Sequence, residues 1–471
     1  MSNSDLLRSA AIWAEQQMRD VDLGDCRRTE RLVTVTTRLA QNPSGTLPTT
    51  FTEWKDLRAA YRLFAEDDVT HDAIAAPHSQ RVGQACLTPG QYLLVEDTTT
   101  LSFNTHESTS DLGPVNDQGG KGFLVHNTLA LRVAGWDRRQ VPILTVLGLA
   151  GQQCWSRPKV GLKRKQKSKT ARLKRSRESA RWAASLEAWP QAPAGIQWIY
   201  VADRESDIYE VFERCAARHA DWVIRAAQAR ALLGEDQSVF AAVAQSPVRG
   251  YLSVELRARP GEPARTMRVA LRACTVTLRG PWRPGGPLAP RRLQIVETRE
   301  VAPAAGSKPM VWVLLTSLPI GTLAQIKRIV GCYTQRWLVE EFHKALKSGT
   351  QVEASQLATG RALQALCAVL SLVSLRLLEA KLYARAFPDQ PVRPGQFSPE
   401  FLELLAAKVR RPLAGWTQST VWRGIARCGG FLNRKGDGDP GWITIWRGWR
   451  SLLKMVEGVV LYRKKRDKQC G

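Results

Sequence analysis

The chain has 471 residues, more than a single hydrophobic core ordinarily supports, so two or three domains are expected. Its 68 Lys and Arg against 43 Asp and Glu leave a formal charge of +25, which spreads positive potential over much of the surface and favours an acidic polymer as partner. The nine cysteines are odd in number, and the nearest two, Cys332 and Cys367, stand too far apart for a zinc knuckle or a redox pair, so they read as buried thiols of a reducing compartment.

The N-terminal stretch MSNSDLLRSAAIWAEQQ has no continuous apolar core, so no signal peptide is expected, and the chain should work in the cytoplasm without a membrane partner. Residues 1–84 read as helices, with Asp25 placed to cap CRRTERLVTVTTRLA and Thr52 to cap EWKDLRAAYRLF. From Gln91 the texture changes to strands, YLLVED, FLVHNTLALRV and VPILTVLGLA, followed by a helix. That helix falls in a dense run of Lys and Arg from Arg157 to Arg181 broken by one acid, Glu178, which reads as a solvated face or a loop. IQWIYVAD then predicts a strand, DIYEVFERCAARHA a helix and DWVIRAAQ a short strand, an order that fits an α/β fold with a mixed sheet faced by helices. Residues from about 236 to 318 alternate like short strands with Gly and Pro turns, an all-β insertion in the α/β domain that spans 85–386. The chain is helical from Gly321 apart from a Pro-rich break between Phe387 and Pro399, which sets off a C-terminal helical domain, 387–471. Its most apolar stretch, Leu363 to Leu378, is interrupted by polar residues and too short to span a bilayer, and is expected to be a buried helix.

The segment YTQRWLVEEFHKALK carries the clearest chemical pattern. Placed on a helix at about 100° per residue, Arg336, Glu340, Lys344 and Lys347 share one face, while Leu338, Val339, Phe342 and Leu346 gather opposite. Such a face is also what ordinary surface ion pairing produces. Two further acids change the weighing: Asp97 follows YLLVE and Asp203 follows IQWIYVA, at strand ends, where open sheets bind ligands. An acid after a strand is by itself commonly a turn residue or cap. Three acids from two strands and a helix, however, can converge into an oxygen-only site for Mg²⁺, and two such ions about 4 Å apart can serve the attacking and leaving oxygens of a phosphoryl displacement.

At these positions the sequence resembles the DDE transposases of bacterial insertion sequences, specifically the insertion sequence four family, Tn five transposase-like. The signature Tyr-x2-Arg-x3-Glu-x6-Lys is met by Tyr333, Arg336, Glu340 and Lys347, DRESDIYE begins at Asp203, and VEDTTTLSF contains Asp97. LGDCRRTERL and AYRLF look like the family's DNA-binding domain, ARCGGFLNRK and WITIWRGW like its C-terminal domain. Ser206 stands where relatives commonly have Ala.

The resemblance implies a ribonuclease-H-like catalytic core with a β-insertion, flanked by an N-terminal helical domain that binds transposon ends and a C-terminal helical dimerisation domain. It implies that Asp97, Asp203 and Glu340 are the catalytic, metal-holding residues, with Mg²⁺ as cofactor, Mn²⁺ able to substitute, and two ions per site when DNA is bound. Tyr333, Arg336, Lys344 and Lys347 are candidate DNA contacts, as are Arg225 and Trp312 at positions that match residues holding an extruded base. Trp312 also alternates with apolar neighbours as a core residue would. Arg27, Arg28, Arg31, Arg58 and Arg62 are candidate contacts to transposon-end double-stranded DNA. The implied activity is cut-and-paste transposition: nicking, hairpin formation and opening, and strand transfer into target DNA by a homodimer in a nucleoid-associated synaptic complex. Trp442, Trp446, Trp449, Leu453, Val456 and Val460 form a heptad seam that predicts a partner helix, from the same subunit or from a dimer mate. The competing readings are a ribonuclease-H-like nuclease that cuts without joining and a noncatalytic DNA-binding regulator.

Overall fold

A computed structural model describes residues 10–469 apart from 116–119, 159–179, 188, 257–264, 284, 304–308, 393–395 and 435–436. Most of the basic run from Arg157 to Arg181 therefore lies outside the described residues. The strands in chain order are β1 (Gly90–Ser102), β2 (Gly113–Pro114), β3 (Lys121–Trp136), β4 (Pro142–Trp155), β5 (Ile196–Ala202), β6 (Asp221–Arg225), β7 (Val248–Leu256), β8 (Arg265–Leu278), β9 (Trp282–Arg283), β10 (Gly286–Pro287), β11 (Arg291–Glu300) and β12 (Val311–Thr316).

Strands β4, β3 and β1 run antiparallel to one another, and β5 and β6 add in parallel beside β1, the ribonuclease-H-like arrangement. The strands expected as an insertion extend this same sheet: β12 pairs antiparallel with β6, and β11, β8 and β7 follow, giving ten strands in all. The insertion is not purely β, since Val239–Gln245 is a helix capped by Ser238.

Alternation decides which residues reach the site. Leu93 and Val95 of β1, Ile199 and Val201 of β5 and Val223 of β6 face one core, whereas Tyr92, Leu94, Trp198, Tyr200, Trp222 and Ile224 face the other. Val95 lies beside Val201, and Val201 beside Val223. Two residues further on, Asp97 continues β1, Arg225 ends β6, and Asp203 stands just past the end of β5.

The first core is closed by a helix that runs Gly360–Ala386, longer than the apolar stretch expected. Its 27 residues would suffice to cross a membrane by length and composition, which corrects the expectation that it is too short, but its apolar surface is mostly buried inside the protein.

The N-terminal helices are Ala10–Met18, Cys26–Gln41, Leu47–Thr50, Trp54–Ala65 and His71–Ala85. Asp25 caps the second, accepting from the Arg27 amide at 2.9 Å, as its sequence position predicts. Thr52 does not cap the fourth: that helix begins one residue later than the pattern suggests, after Glu53, whose side chain makes no capping bond.

In the C-terminal region, Pro399–Val409 and Gln418–Cys428 precede a long helix, Trp442–Gln469. Its heptad seam turns inward. Trp442 and Trp446 pack into the central core, and Trp449 stacks among Phe397, Phe401 and Trp422, with ring centroids 5.8, 5.2 and 5.9 Å away. Leu453 and Val456 join the same small core, so the partner of the seam over these positions is the chain itself; the Val460 side chain lies outside the described residues. Large apolar side chains stand exposed elsewhere on that helix, at Ile443, Leu461 and Tyr462. The described cysteines are free, but only Cys86, Cys215, Cys332 and Cys367 are buried; Cys26 is exposed and the other three are half-buried, so the expectation of buried thiols holds for half of them.

Candidate active site

Asp97 lies within β1, five residues before its end, and not at the strand end that the sequence pattern suggests. The functional boundary is where β5 stops: parallel pairing ends at Val95 and Val201, and beyond it the sheet opens between Asp97 and Asp203. Asp203 caps a short 3₁₀ turn, accepting from the Glu205 amide at 2.8 Å. Burial pushes the Asp97 carboxyl up to about 7, reinforced by the negative charges of Asp203 and Glu340; Arg336 and the Thr98 amide oppose the rise.

Glu340 comes from the helix Trp337–Lys344, which packs across β1 through Leu338, Val339 and Phe342. Arg336 forms an ion pair with Glu340 and approaches Asp97 Oδ2 at 3.6 Å, so one guanidinium serves two of the three acids. Among the described residues no three His, Cys, Asp or Glu side chains are arranged around a single point as metal ligands, and Glu340 is engaged by Arg336. The donor set is nonetheless all carboxylate oxygen, crowded enough to raise Asp97, and suits a hard divalent cation.

Tyr333 to Lys347 is not one regular helix. A helix Leu323–Thr334 ends at Tyr333 and Thr334, a turn at Gln335 and Arg336 follows, and after Lys344 the backbone widens into a π turn over Ala345–Gly349. A single angle per residue therefore fails for Lys347, beyond the regular helix. Lys344, one turn after Glu340 within that helix, bends its ammonium to 3.8 Å from the centroid of the Trp337 ring and 3.8 Å from Glu341 Oε1. Lys347 lies in the π turn, half-buried, where its charge helps to hold the His343 imidazole neutral.

Trp312, Tyr333 and Arg225 come together beside the acids. Trp312 is half-buried and sets its ring against Tyr333 at 66°, centroids 5.2 Å apart. Burial pushes the Tyr333 phenol up, while Arg336 and Arg225 pull it down. Arg225 also donates to the Val311 carbonyl at 3.2 Å. Asp207 pins the loop after Arg225 by accepting from the amides of Ala227 and Gln228 and from Arg230.

Three groups have partners that only the fold brings to them. Glu96, fully buried on the opposite face of β1 from Asp97, accepts from Tyr200 and Thr128 at 2.7 Å each and faces His126 at 3.1 Å. Ser206 joins this cluster, 3.1 Å from the Tyr200 hydroxyl, which gives the Ala-to-Ser departure a local role. Glu341, next to Glu340 but directed elsewhere, accepts from Lys381 at 2.7 Å and from the Trp442 indole at 2.6 Å, tying the Glu340 helix to the last helix of the chain. His343 is buried, accepts from Asn127 Nδ2 at 3.0 Å and lies 4.0 Å from Asp97 Oδ2. Burial pushes its imidazole down to about 3, so it is neutral. Residues paired only through the fold leave no local spacing to read.

The N-terminal arginines fall into two kinds. Arg28 is committed within its own domain, to Glu66, to Asp68 at 2.7 Å and to the Leu23 carbonyl. Arg27 is exposed beside Asp25, Arg31 makes a loose pair with Asp56 at 3.7 Å, and Arg58 and Arg62 stand exposed on the helix Trp54–Ala65.

Three family models match the chain. A transposase DNA-binding model matches residues 10–69, a transposase DDE domain model residues 178–375, and a transposase Tn5 dimerisation domain model residues 405–468. The DDE match contains Asp203 and Glu340, while Asp97 precedes it.

Proposed function

Because the chain belongs to the Tn5-like DDE transposases, DNA-binding enzymes that dimerise and whose DDE domain uses divalent metal, we propose that it performs cut-and-paste transposition with Asp97, Asp203 and Glu340. The observation that supports this reading is that Arg336, paired with Glu340, comes to 3.6 Å from Asp97, whose carboxyl also feels the negative charge of Asp203.

These three carboxylates would hold Mg²⁺, or Mn²⁺ in its place, as two ions when DNA is bound; the ions supply polarisation of the attacking and leaving oxygens of a phosphodiester. The chain's own groups do the rest. Arg336, half-buried among the acids, is suited to a bidentate grip on phosphate once DNA competes for it, and Lys347 adds a point charge. Trp312, set edge-to-face against Tyr333 next to Arg225, offers a ring for an unstacked base beside a guanidinium for its phosphate. In the proposed sequence water cuts the first strand, the freed 3′-hydroxyl attacks the opposite strand to close a hairpin, water reopens it, and the same 3′-hydroxyl attacks target DNA. Each step exchanges one P–O bond for another. Exposed Arg27, Arg58 and Arg62, with half-buried Arg31, would contact the backbone of the transposon end.

The test is strand transfer. A duplex carrying the inverted repeats that flank the coding region is incubated with the protein, Mg²⁺ and a supercoiled plasmid. Covalently joined products are expected, and nicked plasmid with no joined product would replace this reading with that of a simple nuclease.

A further inference from the structure

A continuous line of hydrogen bonds runs from an exposed carboxylate, through the protein, to the edge of the acid cluster. Asp72 Oδ1 lies 2.8 Å from His71 Nδ1, and His71 Nε2 lies 3.0 Å from Gln152 Oε1. Gln152 Nε2 donates to Asn127 Oδ1 at 2.6 Å and to Ser371 Oγ at 2.9 Å. Asn127 Nδ2 donates to His343 Nε2 at 3.0 Å, and His343 Nδ1 lies 4.0 Å from Asp97 Oδ2. His71, Asn127, Ser371 and His343 are buried, so each polar atom here is costly to leave without its partner.

The direction of this line is set by its amides and by Asp72. The amide nitrogens of Gln152 and Asn127 only donate, and the Asp72 carboxylate accepts from His71. A neutral imidazole has one N–H and one acceptor nitrogen; with Nε2 accepting from Asn127, the proton of His343 resides on Nδ1, the atom nearest Asp97. Reversing both amides would put the proton on Nε2 and set a lone pair against the Asp97 oxygen. At its other end His71 donates from both nitrogens, to Asp72 and to Gln152, and its imidazole is correspondingly raised above its ordinary value.

We propose that His343 is a positioning residue for Asp97, held in a single tautomer and orientation by Asn127, Gln152, His71 and Asp72. Its Nδ1–H, 4.0 Å from Asp97 Oδ2, is too far for a direct hydrogen bond and acts as a fixed dipole on that carboxylate, through Asp97 and not on DNA. The line connects the helix His71–Ala85, which begins just after the matched DNA-binding span, to β4, β3, the Glu340 helix and β1. It thereby makes the setting of Asp97 depend on how that helix is seated. This inference rests on the assignment of Asp97 to the catalytic set.

The chain has six histidines, few enough for ring-nitrogen NMR of the whole protein labelled at histidine. Wild-type His343 should show a protonated Nδ1 and an accepting Nε2. Asn127→Ala should convert this to a mixture of tautomers, and Gln152→Met, which keeps volume, should do so as well if Asn127→Ala does not fold. In single-turnover cleavage at limiting Mg²⁺, His343→Ala should slow the reaction by about tenfold to a hundredfold, the usual cost of removing a partner of a metal-binding side chain, with end binding unchanged. The double variant Asn127→Ala with His343→Ala should be no slower than His343→Ala alone, since coupled groups do not add. A tautomer untouched by Asn127→Ala and Gln152→Met, or losses that multiply in the double variant, would overturn the proposal. Full cleavage by Asp97→Asn would instead defeat the site assignment and leave the tautomer result standing.

Discussion

Asp97 is the residue whose surroundings are least compatible with its charge. Its folded carboxyl is raised from an ordinary 3.8 to about 7, so both folded and unfolded chains are protonated below about pH 4 and no penalty exists there. Between those values the unfolded chain ionises first, and stability falls as pH rises, levelling above about 7. In the presence of a chelator, Asp97→Asn should therefore raise the melting temperature at pH 8 but not at pH 4; equal shifts at both would show that the carboxylate is not strained by its neighbours. Trp312 poses a different question, since its strand pattern says core and its half-buried ring says contact. Trp312→Ala should leave the first nick largely intact and slow hairpin formation or opening, measured on pre-nicked and hairpin duplexes. Loss in all steps together with a large fall in melting temperature would assign the ring to packing alone. At this scale the acids were legible because each follows or begins a recognisable run, whereas His343, Asn127 and Glu341 were not, because their partners are far away in sequence.

The elements were read well where period and burial agree. β1, β3, β4, β5 and β6 fall on their apolar runs, and the strands from Val248 to Thr316 fall on theirs, but periodicity has no means of telling that the second group continues the first sheet through the pairing of β12 with β6. The same limit explains the catalytic helix: the apolar face Leu338, Val339, Phe342 and Leu346 is buried as expected, while the π turn that shifts Lys347 has no signature in residue type. The helix carrying Glu340 is anchored to the last helix by Glu341, which meets the Lys381 ammonium and the Trp442 indole in a buried setting. Glu341→Ala deprives the buried Lys381 of that carboxylate and should lower unfolding free energy by about 3 to 5 kcal/mol, read in a denaturant melt. A loss under about 1 kcal/mol would mean the anchor is incidental.

For the whole molecule, the inward turn of the heptad seam changes how dimerisation must be approached. Trp442 and Trp446 stabilise the catalytic core of their own subunit, so removing the chain after residue 386 would expose that core and confound any loss of pairing. The exposed Leu461 and Tyr462, inside the matched dimerisation span, are the better probes. Leu461→Lys with Tyr462→Lys should leave melting temperature and single-end binding unchanged and reduce paired-end complexes on a native gel; normal pairing would place the interface elsewhere. The basic charge read from composition has its counterpart in a transposase with a DNA-binding and a dimerisation domain. The central claim concerns one carboxylate set, and its member outside the DDE match is Asp97. The direct measurement is single-turnover cleavage of a transposon-end duplex in Mg²⁺ by Asp97→Asn, with end binding followed on the same sample. Binding retained with cleavage abolished is the expected result, and cleavage at the wild-type rate would contradict the account.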